Sequence, residues 1–133
     1  MSSLLKWNKG GLKSPMSRAN GLGSAKTGLD HWLMQRMTAV VNLVLGLWLI
    51  YSLVFNVGAT YTEALAFVSE PLHAIFLILF VMASFYHSVL GVQVIVEDYV
   101  HNEGFKIFKL LGQRILFFGM AIACIFSILQ VAL

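Results

Sequence analysis

Charged side chains are scarce in this chain: Lys, Arg, Asp and Glu make up 11% of its 133 residues, where a soluble domain carries about a quarter. Charge is missing altogether from three long runs, Met37 to Thr62, Pro71 to Val96 and Ile115 to Leu133. That shortage excludes an ordinary water-soluble fold. Cysteine is nearly absent too, and the single Cys124 lies inside the third apolar run with no partner for a disulfide, so it reads as a small packing residue. The segments between the runs are too short to house a catalytic domain. Any chemistry therefore belongs within the helices, at their ends or on partner subunits, and no enzyme is expected from this chain alone.

What is abundant is hydrophobic side chain, 59% of the total. Each uncharged run reaches the roughly 17 to 25 residues that a membrane-spanning helix needs. The fold class expected is an all-α membrane protein with three transmembrane helices, over about 30–58, 71–99 and 112–133. A basic tail, 1–28, precedes the three-helix anchor domain, 29–133. The first apolar run starts too late and is too long for a secretory signal, and the lysine-weighted leader lacks the arginine face of a transit peptide, so the tail is read as retained.

Six basic residues, Lys6, Lys9, Lys13, Arg18, Lys26 and Arg36, stand before the first run against Asp30, a net of +5, whereas the loop with Glu63 and Glu70 has no basic residue. The positive-inside rule then places the N-terminus in the cytoplasm, the Glu97 to Arg114 region on the same side, and the C-terminus in the periplasm of a bacterial inner membrane. A mitochondrial chain would have its N-terminus in the matrix. Asp30 is a plausible N-cap, with His31, Trp32 and Arg36 at interfacial depth, and Gly58 and Thr60 suggest the end of the first helix. Pro71 suits a first helical turn. Asn102 and Gly104 read as a turn, and Phe105, Ile107, Phe108, Leu110 and Leu111, with Lys106 and Lys109, as a short segment lying along the interface before the third helix. Glu63, Glu70, Glu97 and Glu103 look like solvated loop charges. Asn42 with Gly46, and Gly119, Ala123 and Ser127, fall at four-residue spacing suited to close helix contact.

His87 is the ionisable residue expected near the bilayer midplane. Eleven residues on stands Asp98, roughly 16 Å along a helix axis and within about 20° of the same face. Ala83, Ser84 and Gly91 surround His87 at minus four, minus three and plus four, which would leave room for a flat, bulky group such as a porphyrin, and imidazole is a common iron ligand. The plainer reading makes His87 a hydrogen-bonding partner of a neighbouring helix. A bis-imidazole haem would need a second chain, because His31 and His101 lie near one end and His73 is about 21 Å from His87. Tyr99 can donate to a quinone carbonyl and Asp98 can relay protons, although such residues also populate membrane boundaries for no other reason. Arg36 suits a haem propionate or lipid phosphate, or is a topology determinant only.

Two blocks, GLGSAKTGLDHWLMQRMTAV (Gly21–Val40) and HSVLGVQVIVEDYVH (His87–His101), resemble the smaller hydrophobic anchor subunit of bacterial succinate dehydrogenase, respiratory complex II. The histidine, the glycine four later and the DYV beginning eleven later carry the likeness. The resemblance implies that His87 is an axial ligand of a b-type haem (haem b) shared with a cytochrome b-type anchor subunit, which supplies the other histidine. It implies that Tyr99 and Asp98 line the ubiquinone site beside the iron-sulfur subunit, that a flavoprotein subunit completes the complex, and that Arg36 of the QRMTA segment lies near the haem propionates. No catalytic residue and no nucleic-acid partner are expected in this chain. His101 departs from the lysine also familiar after DYV. Two rivals stay open: the anchor of a quinol:fumarate reductase, and a cofactor-free three-helix packing subunit.

Overall fold

The computed structural model describes residues 26–133, and its chain divides into a unit ending at Trp32 and a unit from Leu33 to Leu133. The tail expected over 1–28 lies outside the described residues except for Lys26–Gly28. Four helices follow: α1 (Lys26–Phe55), α2 (Tyr61–Ser69), α3 (Pro71–Tyr99) and α4 (Glu103–Ala132). Three of them, α1 from Gly28 onward, α3 and α4, are long and apolar enough to cross a membrane.

The helix boundaries follow local chemistry. α1 begins before Asp30, so that residue is no cap. Nothing from Lys26 on forbids a helix, and Gly28 costs only about 1 kcal/mol relative to alanine. α1 ends at Phe55 because Gly58 takes φ +88°, a left-handed conformation open to glycine. α3 begins with Pro71, whose missing N–H belongs to a first-turn position that has no acceptor, and ends with the Val100 N–H donating to the Val96 carbonyl at 3.0 Å.

Two expectations are corrected here. Thr60 and Glu63 do not sit in a plain loop: the backbone N–H and hydroxyl of Thr60 donate to the Glu63 carboxylate at 2.7 and 2.8 Å, while the Glu63 N–H donates to the Thr60 hydroxyl at 3.4 Å. This capping box starts α2. Likewise Asn102 is no mere turn residue, since its side-chain oxygen accepts from the Phe105 N–H at 3.0 Å and caps α4, with Glu103 favourably placed in the positive first turn. The third spanning helix therefore begins at Glu103 rather than about 112. Phe105 to Leu111 belong to the same helix as the membrane span, and Lys109 lies 5.3 Å over the Phe105 ring, one turn away.

α3 is the central element. One stripe of it, at three- and four-residue steps, faces α1: Phe76 meets Trp48 edge-on at 5.1 Å between ring centres, Ser84 donates to the Asn42 side-chain oxygen at 3.1 Å, and the Asn42 amide donates to the Ala83 carbonyl at 3.5 Å. A Cβ built at Gly46 would lie 3.7 Å from the Phe80 ring. Contacts nearer the start of α1 fall nearer the end of α3, so the two helices pair in one antiparallel register. A second stripe faces α4, where Phe85 lies 6.2 Å from Phe117 and Arg114 donates to Gln93 at 3.0 Å. α2 rests against both α3 and α4.

Little of the chain is buried by its own fold. Among the described residues the buried apolar side chains are Ala74, Leu90 and Val96, and large side chains all along the spans face outward. Lipid or other subunits must cover them.

Alanine at Gly46 meets Phe80 at ordinary contact distance, so Gly46→Ala is expected to leave detergent stability unchanged, while Gly46→Leu separates α1 from α3 and lowers the melting temperature. Equal melting temperatures for the two variants would refute that packing. The Thr60 donors hold the Glu63 carboxyl below the usual carboxylate range. Its contribution to the cap is complete above the unfolded-state pKa, near 4.3, and is lost as pH falls through the lower folded value. Amide exchange in the first turn of α2 is expected to quicken only on that acid side, and Glu63→Gln to remove the dependence.

Candidate functional site in the membrane span

The polar seam between α1 and α3 passes through His87. Its Nδ1 lies 2.9 Å from the hydroxyl of Thr38 on α1. That hydroxyl is also 2.8 Å from the Met34 carbonyl and 3.2 Å from that of Gln35, inside its own helix. No hydrogen bond to Nε2 is found among the described residues. His87 is thus a half-buried ring with Nδ1 engaged between the two helices and Nε2 without a hydrogen bond among the described residues.

The small residues near His87 serve a different purpose from the one expected. Ser84 and the Ala83 carbonyl are taken by Asn42, and a Cβ at Gly91 would lie 3.6 Å from the Gln35 amide nitrogen. Their smallness admits α1 of the same chain, and the space imagined there for a porphyrin is filled by protein. Any flat group meeting Nε2 would approach from outside the α1–α3 pair.

Arg36 lies two residues before Thr38, about 3 Å along α1, and so near the level of His87. Asp98 and Tyr99 lie eleven and twelve residues along α3 from His87, some 16 to 18 Å away. In depth Arg36 therefore lies nearer His87 than Asp98 and Tyr99. Tyr99 is 78% exposed at the end of α3, and neither it nor Asp98 has a side-chain hydrogen bond among the described residues. Their neighbour Glu97 differs, because it accepts from Gln93, which in turn accepts from Arg114. That chain leaves Asp98 as the open carboxylate at this end of the helix.

His73 is far from this site, at the α2 end of α3. Its ring stacks on Phe67 at 4.0 Å, its Nδ1 is 3.0 Å from the Phe67 carbonyl and 3.1 Å from Glu70, and Trp48 lies alongside at 5.9 Å. No cluster of three or more His, Cys, Asp or Glu side chains able to hold a metal occurs among the described residues. A metal at His87 would need donors from beyond this chain. Sequence reasoning missed Thr38 as a site residue. It stands in the QRMTA segment, but only the pairing of α1 with α3 shows that it meets His87.

Residues 11–129, which include Arg36, Thr38, His87, Asp98 and Tyr99, match the model of the succinate dehydrogenase/fumarate reductase transmembrane subunit. This chain belongs to that family. It is 36% identical over 88 residues to the succinate dehydrogenase hydrophobic membrane anchor subunit of Rickettsia bellii, covering 66% of this chain and 70% of that one. The corresponding subunit of Rickettsia typhi is 35% identical over 89 residues, 67% and 71% of the two chains, and that of Paracoccus denitrificans 29% over 86 residues, 65% and 67%. No solved structure matches. Family membership agrees with the resemblance seen in the two sequence blocks and with three spanning helices.

The Asn42–Ser84 contact is the other polar link at mid-span, and interhelical hydrogen bonds in membranes contribute about 0.6 kcal/mol on average and up to about 1.7. A double-mutant cycle with Asn42→Leu and Ser84→Ala is expected to return a coupling energy within that range in detergent unfolding. Additive single effects would show that the two side chains do not interact.

Proposed function

We propose that this chain is the smaller hydrophobic anchor of a succinate:ubiquinone oxidoreductase in a bacterial inner membrane, with its N-terminus cytoplasmic and its C-terminus periplasmic. Family membership supports the anchor role, and the bias of basic residues toward the N-terminus supports the orientation. The other members of the complex are a flavoprotein, an iron-sulfur subunit and a cytochrome b-type anchor subunit. This chain works only within that assembly, at the junction of the tricarboxylic acid cycle with aerobic electron transport.

The observation that carries the cofactor reading is His87 itself, an imidazole part-way along a membrane helix with Nδ1 held by Thr38 and Nε2 left without a hydrogen bond among the described residues. The donor set fits a haem shared between two subunits, since this chain offers one such nitrogen and no others beside it. His87 would hold the iron through Nε2, with a second ligand from the partner anchor subunit. Arg36, at nearly the same depth, offers its guanidinium to a propionate. A b-type haem so held would supply a one-electron carrier, its potential tuned by the ligands and their hydrogen bonds.

The quinone belongs at the α3–α4 turn. There Tyr99, exposed and at the end of its helix, donates its phenol proton in a hydrogen bond to a quinone carbonyl and so stabilises the charge that develops as electrons arrive. Asp98 passes protons from water toward the same oxygen. Two electrons and two protons complete the conversion to quinol, the electrons coming from succinate through the partner subunits. The relatives named as succinate dehydrogenase anchors favour this direction over fumarate reduction. A cofactor-free packing subunit would also use the Thr38–His87 hydrogen bond, and a spectrum separates the two readings.

In the assembled complex, His87→Ala is expected to abolish or strongly reduce the haem band in the reduced-minus-oxidised spectrum while the chain still inserts. An unchanged spectrum rejects the ligand assignment. Tyr99→Phe, which removes one hydroxyl, is expected to slow quinone reduction more than succinate oxidation by a soluble artificial acceptor. Equal losses in the two assays would count against a quinone contact.

A further inference from the structure

We infer that Thr38 is the positioning residue for the haem ligand: its hydroxyl oxygen accepts the Nδ1 proton of His87, fixing the tautomer whose free lone pair is on Nε2 and setting the electron-donating strength of the ring. The inference rests on the haem reading above and deepens it.

The argument is proton accounting. A threonine hydroxyl has one proton to give and lone pairs to receive with. Thr38 Oγ1 lies 2.8 Å from the Met34 carbonyl oxygen and 3.2 Å from that of Gln35, and carbonyl oxygens only accept. If the hydroxyl proton went to His87 Nδ1 instead, Oγ1 and the Met34 oxygen would face each other at 2.8 Å with no proton between them. The proton therefore points back into α1, as in the usual back-bonding of threonine in membrane helices. What Oγ1 presents to His87 at 2.9 Å is a lone pair. Nδ1 must carry the hydrogen, and a neutral imidazole protonated at Nδ1 is unprotonated at Nε2.

The arrangement is stiff. Threonine is branched at Cβ, so its χ1 is restricted in a helix, and its hydroxyl is further tied to the helix backbone. The Asn42–Ser84 contact one turn away and the close approach of Gln35 to Gly91 hold α1 and α3 at this distance on both sides of the pair. Ring rotation about Cβ–Cγ would break the Nδ1 hydrogen bond, so the plane of the imidazole is set as well as its tautomer. A hydrogen bond from the far nitrogen of a ligating histidine increases the basicity of the ligand. A more basic imidazole stabilises ferric over ferrous iron and lowers the haem midpoint potential. Thr38 touches neither iron nor quinone, and acts through His87.

The test uses the complete, detergent-purified complex carrying Thr38→Val, which keeps the shape and removes the acceptor, or Thr38→Ser, which restores the hydroxyl. Thr38→Val is expected to raise the haem midpoint potential and to weaken haem retention roughly tenfold, the lower end of losses seen when such outer partners are removed. Thr38→Ser is expected to return both readings to wild type. If Thr38→Val keeps the wild-type potential and haem content while His87→Ala loses the haem, the role of Thr38 is overturned and ligation by His87 stands. A wild-type complex with no haem band overturns both. Pulsed EPR of the oxidised wild-type complex transferred to heavy water reads the same contact even where the valine variant does not assemble. A proton on the far histidine nitrogen that resists exchange supports the contact, and its absence or immediate exchange overturns it.

Discussion

Within hydrocarbon, apolar side chains gain nothing by leaving lipid for one another, so helices are held by close packing and by the few polar groups that find partners. In this chain that constraint falls on the seam between α1 and α3. Asn42, Ser84 and the Ala83 carbonyl satisfy one another, and one turn farther on Thr38 satisfies half of His87. Shifting either helix by one residue would break both sets and leave several polar atoms unpaired in a medium that offers no water. The depth of His87 and the level of Arg36 both follow from this register.

The spans were legible because a membrane imposes a crude demand, a long run without charge, and a sequence displays such runs openly. The second spanning helix is found over Pro71–Tyr99 as its proline and its polar end announce. The other limits were harder to read because Asn102 and Thr60 belong to residue types that favour turns and helix caps equally, and the choice depends on the backbone three residues later. Phe105 to Leu111 looked separate from the third span for the same reason, with Gly104 suggesting a break that the helix tolerates. His87 stood out in the sequence as a polar residue far from either end of its run. Thr38 did not, because threonine is ordinary in an apolar helix and its meaning depends on which residue of another helix it meets. Small residues misled for a related reason: Ala83, Ser84 and Gly91 do mark a close approach, but of a helix in the same chain.

The exposed apolar surface completes the picture of a chain made for company. Leu43, Leu47, Ile50, Val54, Ile115 and Phe118 all face outward in the spans, with no layer of the chain's own residues over them. Between α3 and α4 a cleft of about 610 Å³ is lined by Met82, Phe85, Tyr86, Phe117 and Ile122, with Arg114 also on its wall. Arg114 is tied to Gln93, and Gln93 to Glu97, so the guanidinium meets its opposite charge through an amide. That relay links the cation to a carboxylate without bringing the two into direct contact.

The three residues Val100 to Asn102 between α3 and α4 also act as a leash. Even pulled straight, they keep the first residue of α4 within about 14 Å of Tyr99. The opening turns of α4, with Lys106 and Lys109, are rigidly continuous with the rest of that helix. A neighbouring molecule that grips those turns is thereby brought close to the tyrosine, and cannot drift from it without unwinding a helix. Proximity at that edge is enforced by chain length, before any side chain has made a bond.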